Sequence, residues 1–240
     1  MEKNDSIDFY GGEVLLIDKP KDISSFGAVN RIKRAFIKQT GKKRYKIGHA
    51  GTLDPLATGL LIMCSGKKTK TISGFQGLPK EYTGEIVLGA TTPCYDLEME
   101  IDQTFDYSQI TEQQILDCAK TFLGENNQMP PIFSAKKING KRAYDLARNG
   151  EEVVLKPNLI TIHEFEIVKI EMPKVSFRIA CSKGTYIRSI AHDFGKKLNN
   201  GGYLENLRRT KIGEYSVEDA KSIEEIQDLI FDSEFVEKLN

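Results

Sequence analysis

Strand-patterned and helix-patterned segments follow one another in this chain without a regular strand–helix–strand alternation. That order favours an α+β arrangement over a doubly wound parallel sheet. The apolar run EVLLI (13–17) ends at Asp18-Lys19-Pro20 and reads as a strand entering a loop. Ser24 or Ser25 then precedes FGAVNRIKRAFI, where Phe26, Val29, Ile32, Ala35 and Phe36 recur at helical spacing; a serine there is a suitable N-cap. Residues 41–55 hold glycines, Pro55 and no clean period and read as loop, whereas 57–64 are apolar enough for a buried element. Further strands are expected at 81–89, 160–170 and 175–181. Helices are expected at 111–123, ending near Gly124, at 143–149, at 185–198 and at 223–229 behind Ser222. Residues 125–140, with Pro130-Pro131 and Asn139-Gly140, carry loop or hairpin chemistry.

A chain of 240 residues makes one large domain or two small ones. With 40% hydrophobic and 28% charged residues it is an ordinary globular composition, which argues against wholesale disorder. No apolar run approaches the roughly 20 residues that span a bilayer, and the N-terminus lacks the basic and apolar regions of a signal peptide. Cys64, Cys94, Cys118 and Cys181 are scattered with no C-x-x-C, and His49, His163 and His192 are not spaced as metal pairs. A reducing cytoplasm and the absence of a bound metal are the expectations.

The zero formal net charge hides an asymmetry. Between Arg31 and Ala50 there are eight Lys or Arg and no acid; between Glu214 and Asn240 there are nine Asp or Glu and two Lys. A segregated basic block suits a polyanion, or is a solvated helix and loop surface. The stretch from Gly48 to Leu61, GHAGTLDPLATGLL, follows that block directly and sets a single carboxylate, Asp54, among glycines and before Pro55. Such a carboxylate either caps the element starting near Leu56 or serves as nucleophile or general base. Ser65-Gly66-Lys67-Lys68-Thr69 fails as a phosphate-binding loop: Gly59 is seven positions before Gly66, and Lys67 is followed by lysine. No G-x-G-x-x-G occurs, so no nucleotide cofactor is expected. In CSKGTYIRSIAHD (181–193) a glycine turn leads to Tyr186 and Arg188 near a helix start, where arginine is either an exposed helix residue or a partner for a carboxylate or phosphate.

Taken together these segments resemble the TruB family of tRNA pseudouridine synthases. GHAGTLDPLATGLL resembles its catalytic motif, and Asp18-Lys19-Pro20 with Ser24-Ser25 its N-terminal lysine-proline motif. Lys80-Glu81-Tyr82 resembles the motif of the base-stacking tyrosine, and QMPPIFSAKK (128–137) through Tyr144 and Ala147-Arg148-Asn149-Gly150 the thumb insertion. CSKGTYIRSIAHDFG resembles the motif with the active-site tyrosine and arginine, and LENLRR (204–209) the final leucine segment. The motifs occur in family order over roughly residues 12–230.

The resemblance implies a pseudouridine synthase fold: a central, mixed, largely antiparallel sheet flanked by helices, with a thumb insertion at about 125–152. It implies one catalytic domain over 10–240 with an acidic helical end at about 214–240. Many bacterial members continue into a PUA RNA-binding domain, and none is expected here. The implied activity is isomerisation of uridine 55 in the tRNA T-loop, by a cytoplasmic monomer that binds the T-arm and needs no cofactor. Asp54 matches the catalytic aspartate, Tyr82 the stacking tyrosine, Arg188 the arginine that pairs with the aspartate and Tyr186 its neighbour in the pocket. Leu207 matches a pocket leucine, His49 a residue holding the opened T-loop, Lys19 the basic residue of the first motif and Asp96 an acid supporting the thumb. Lys136, Lys137, Lys141 and Arg142 of the thumb would meet phosphates, as would the basic 31–46 segment, Lys67, Lys68 and Lys70. Where the family reads Thr-Asp-Thr-x-Asp, this chain has Thr92-Pro93-Cys94-Tyr95-Asp96, so a secondary contact of the first aspartate is missing. Two other readings remain at this stage: a non-catalytic RNA chaperone that remodels tRNA, and an enzyme acting on a small phosphorylated metabolite.

Overall fold

Capping side chains set the starts of α-helices at Ser25, Glu112 and Ile223 in the computed structural model. It describes residues 7–8, 11–133 and 155–233, and the backbone of 137–138 and 141–142. In chain order the elements are β1 (Val14–Lys19), α1 (Ser25–Thr40), β2 (Ile47–His49), β3 (Thr58–Ser65), α2 (Ile72–Gly77), β4 (Lys80–Leu88), β5 (Ala90–Thr91), β6 (Gln103–Thr104) and α3 (Glu112–Lys120). There follow β7 (Gly124–Gln128), β8 (Lys137–Ile138), β9 (Lys141–Arg142), β10 (Asn158–Glu171), β11 (Lys174–Cys181), α4 (Ile187–Lys197), β12 (Gly202–Ile212), β13 (Tyr215–Ser216) and α5 (Ile223–Asp232). Two units form: one from the residues up to Lys80 with those from Arg208 onward, the other from Glu81 to Leu207.

In the first unit the strand order is β1-β3-β12. β1 runs antiparallel to β3 from Val14↔Cys64 to Lys19↔Gly59, and β3 runs parallel to β12 at Arg208↔Thr58 and Arg209↔Gly59. Leu60 to Cys64 are all fully buried because β3 is covered on both faces. Leu61 and Met63 face α1 and α5; Leu60, Ile62 and Cys64 face Ala50, Ile212 and Val217. α1 starts where the Ser24 hydroxyl accepts from the Gly27 N–H at 3.0 Å, and buries Ala28, Val29, Ile32, Ala35 and Phe36. Phe26, expected on that apolar face, is 68% exposed instead: it sits in the first turn, ahead of the buried stripe. α5 opens with a reciprocal capping box between Ser222 and Glu225. The acidic helix lies on the basic one. Arg31 and Glu224 approach to 4.0 Å, Gln227 donates to the Arg31 carbonyl, and the Lys38 ammonium sits 5.0 Å from the Phe231 ring centroid.

In the second unit the order is β12-β4-β11-β10-β7, with β10 antiparallel to both β11 and β7. Phe122, Phe165, Phe177 and Phe194 form an aromatic cluster between this sheet and α4, with successive ring centroids 5.6–6.1 Å apart. A capping box between Thr111 and Gln114 starts α3. Of the segment expected as loop or hairpin, β8 pairs antiparallel with β9, though Asn139 and Gly140 lie outside the described residues. The short helix expected at 143–149 also lies outside them. All four cysteines are free and buried. Among the described residues no helix is long and apolar enough to cross a membrane.

Candidate active site

Asp54 lies half-buried in the loop between β2 and β3, and the backbone around it is tied down from several sides. The Ser25 hydroxyl at the start of α1 accepts from the Leu53 N–H at 2.8 Å and donates to the Leu53 carbonyl at 2.9 Å. The Asp22 N–H reaches the Pro55 carbonyl at 2.9 Å, and the Ala57 N–H closes a turn onto the Asp54 carbonyl at 3.1 Å. From β12, Arg209, only 1% exposed, donates through Nε to the Leu60 carbonyl at 2.7 Å and through Nη2 to the Gly51 carbonyl at 3.1 Å. Two glycines are required here. Gly51 has φ +104° and Gly59 φ +99°, and a Cβ on Gly59 would lie 2.3 Å from the Arg209 carbonyl oxygen. The loop therefore presents one carboxylate from a backbone with little freedom, which suits a group that must meet a reacting atom.

Lys19 is fully buried and binds this loop from below. Its ammonium donates to the carbonyls of Pro20 at 2.8 Å, Ile23 at 2.7 Å and Pro55 at 3.3 Å. Burial pulls it down to about 8, against the charges of Asp54 and Asp22, which favour the ammonium. Lys19→Met leaves the Pro20 and Ile23 carbonyls without that donor, so stability should fall by about 2–3 kcal/mol in urea denaturation. The folded pKa lies below the value of 10.5 for an exposed lysine, so the ammonium costs stability below pH 8 and that cost is relieved as pH rises from about 8 to 10.5. Lys19→Met should abolish this rise; an unchanged pH slope would show that Lys19 is not its source. His49, at the end of β2, is half-buried, and burial lowers its pKa, with a Gly51 backbone contact opposing and the Arg209 charge assisting. Its imidazole is therefore neutral at pH 7.

In the second unit a set of buried polar groups gathers at the start of α4. Arg188 is 5% exposed, and its guanidinium donates through Nη1 to the Cys94 carbonyl at 3.2 Å and through Nη2 to the Phe133 carbonyl at 3.0 Å. Its Nε lies 3.5 Å from Oδ2 of Asp96, which is 4% exposed. Asp96 is fixed in turn. Its Oδ1 accepts from the Cys94 thiol and the Glu98 N–H, both at 3.0 Å, and its carbonyl accepts from the Thr92 hydroxyl at 2.7 Å. Pro93 is exposed at the second position of a turn closed by the Tyr95 N–H on the Thr92 carbonyl at 3.1 Å, a place that favours proline. The departure from the family pattern thus falls on a turn tip. Tyr95 adopts φ +67° and stacks on His192 of α4, ring centroids 4.0 Å apart. Burial lowers the pKa of that histidine.

The expected residues fall into two groups and a remainder. Lys19, His49 and Asp54 come together on one loop system of the first unit. Arg188, Tyr186 and Asp96 come together in the second, where Tyr82 lies buried on β4 and Leu207 half-buried on β12. Lys136 lies outside the described residues; for Lys137, Lys141 and Arg142 only the backbone of β8 and β9 is described. Sequence reasoning missed Ser25 and Arg209 as loop anchors. The signal for Arg209 was an arginine in a strand flanked by otherwise ordinary polar residues, which is too weak to distinguish from an exposed position.

Residues 34–187 match the family model for the TruB family pseudouridylate synthase N-terminal domain, and residues 188–239 the model for the tRNA pseudouridylate synthase B C-terminal domain. The chain is 58% identical over 217 residues to a Flavobacterium johnsoniae protein named tRNA pseudouridine synthase B, covering 90% of this chain and 95% of that one. It is 47% identical over 234 residues to the protein of the same name from Phocaeicola vulgatus, covering 98% of this chain and all of that one. Among solved structures, a chain of the archaeal box H/ACA sRNP Nop10-Cbf5 complex superposes with a TM-score of 0.65 at 25% identity. A chain of a Cbf5-Nop10-Gar1 complex does so with 0.67 at 27% identity. In both cases 92% of this chain is covered, and it spans 54% of the solved chain.

Proposed function

Because the chain belongs to the TruB family of pseudouridine synthases, we propose that it converts uridine 55 in the T-loop of tRNA to pseudouridine. The target nucleotide lies inside a folded loop and is flipped into the protein for reaction. The N1–C1′ bond breaks, the uracil turns, C5 bonds to C1′, the C5 proton leaves to solvent and N1 takes up a proton. Atoms balance without an oxidant, a metal or a nucleotide cofactor.

In this reading Asp54, as the carboxylate, is the catalytic group. Arg188 is its partner, and a neighbouring guanidinium favours the ionised form. Tyr82 stacks on the flipped base, which offsets roughly 1–3 kcal/mol of lost base stacking. Tyr186 and Leu207 line the pocket, and His49 holds the opened T-loop. Lys136, Lys137, Lys141 and Arg142 meet phosphates, which positions the RNA without reading its sequence. The work is done in the cytoplasm, where the tRNA is. The observation that carries the reading is the Asp54 loop, in which Ser25, Lys19 and Arg209 restrain the backbone on both sides of one carboxylate.

The test is release of tritium from tRNA carrying 5-tritiated uridine, run beside a tRNA-binding measurement. Stoichiometric release from position 55 is the expected result. Binding without release would reject catalysis and leave an RNA chaperone, while absence of both would reject tRNA as the substrate.

A further inference from the structure

β7 is polar throughout, GENNQ, yet its last residue, Gln128, is only 5% exposed. Both polar ends of that side chain are spent on one residue. Gln128 Nε2 donates to the Tyr186 carbonyl at 2.9 Å, and Gln128 Oε1 accepts from the Tyr186 N–H at 2.8 Å. The amide orientation is unambiguous, because an N–H must meet the oxygen and a carbonyl must meet the nitrogen. Tyr186 precedes α4, has no side-chain capping bond of its own, and its carbonyl accepts the first helical bond from the Ile190 N–H at 3.2 Å. The segment that begins at Gln128 makes two more contacts with the same turn of helix. The Ser189 hydroxyl donates to the Met129 carbonyl at 2.8 Å, and Arg188 Nη2 donates to the Phe133 carbonyl at 3.0 Å.

We infer that Gln128 is a positioning residue for the reaction: its side-chain amide clamps the Tyr186 peptide and thereby fixes the first turn of α4, with Arg188 on it, against the root of the thumb. The inference rests on the roles given above to Arg188 and Tyr186. The clamp needs one donor and one acceptor at amide spacing on the same side chain. A carboxylate supplies only acceptors and faces the Tyr186 carbonyl with like partial charge; leucine supplies neither.

The experiment compares Gln128→Glu and Gln128→Leu with the unaltered chain in single-turnover pseudouridine formation, tRNA affinity and thermal melting. Loss of register at the arginine proposed as partner of the reacting carboxylate should slow the bound-state rate by roughly 100-fold while Kd for tRNA stays within about three-fold. The pH profile separates positioning from simple stability. In Gln128→Glu the buried carboxyl titrates above the usual range, and once protonated it both donates and accepts. Its rate deficit relative to the unaltered chain should therefore shrink as pH falls from 8 to 6, whereas that of Gln128→Leu should not. Asp193 and Lys196, which line the same cavity as Gln128, are unchanged in both variants and cancel in the ratio. Full rates in both variants, or weaker binding with a normal bound-state rate, would overturn the inference. So would a Gln128→Glu deficit that does not change with pH. Should Gln128→Leu fail to fold, the pH series on Gln128→Glu decides alone. Asp54→Asn is run alongside: turnover there would strike the assigned reaction, whereas a silent Asp54→Asn beside fully active Gln128 variants would strike the clamp only.

Discussion

Asp54→Asn is expected to fold, to bind tRNA with nearly unchanged affinity and to form no pseudouridine. The substitution keeps the size and planar shape of the side chain, and the bonds that shape the loop run through backbone groups, from Ser25 to Leu53, from Lys19 to Pro55 and from Arg209 to Gly51. What is lost is a negative charge. An amide can neither attack nor take a proton at neutral pH, so the single-turnover rate should fall by at least about 10,000-fold, the scale on which removal of a reacting group is felt. Stability should change by no more than about 1 kcal/mol, because Asp54 is half-exposed and its attraction to Lys19 is partly screened. One electrostatic consequence is separately measurable. Asp54 raises the Lys19 pKa, so its neutralisation should move the Lys19 titration below about 8 and displace the pH dependence of unfolding in the same direction. Near-normal turnover by Asp54→Asn would end the catalytic assignment, whatever the Lys19 titration did.

Helices α1, α3, α4 and α5 were legible because their signals are local, whereas α2, six residues long with no side-chain cap, gave no such signal. Ser24, Thr111 and Ser222 each sit directly before an apolar stripe of helical period, and each caps the helix behind it. The strands were legible only where burial imposed a pattern. The run Leu60–Cys64 could not be missed, but β2 falls inside a basic, glycine-containing segment that reads as loop, and it exists because Ile47–His49 pair with β3. β7 carries no apolar pattern and is a strand by its register with β10 from Asn158↔Gln128 to Ile162↔Gly124. β12 was hidden because its inward positions include the buried Arg209. The basic block was read correctly as charge and incompletely as surface: Arg31 and Lys38 are partly occupied by Glu224 and Phe231 of α5. For the candidate site, motif likeness singles out Asp54, Tyr82, Tyr186 and Arg188. The residues that hold them, Ser25, Arg209, Cys94 and Gln128, act through backbone carbonyls and N–H groups. No spacing rule in a single sequence encodes such contacts, since they depend on which strands become neighbours.

Arg188→Lys is expected to lower the bound-state rate by about 100-fold or more, with a much smaller loss of tRNA affinity. The guanidinium spreads its donors over the Cys94 carbonyl, the Phe133 carbonyl and the Asp96 carboxylate, in a fixed fork. A lysine keeps the charge but brings a single ammonium, which cannot span the Cys94 and Phe133 carbonyls and the Asp96 carboxylate together. Charge and geometry can be separated with a second variant. Arg188→Met removes the cation beside the buried Asp96, and breaking such a pair costs about 3–5 kcal/mol, so it should melt well below Arg188→Lys. Arg188→Lys should therefore be the more stable of the two yet still slow, which would place the demand on the fork and not on the charge. The deciding measurement is the rate at saturating enzyme beside tRNA affinity by filter binding, with melting temperatures for both variants. If affinity fell and the bound-state rate did not, Arg188 would be a phosphate contact, and its proposed pairing with Asp54 would be wrong.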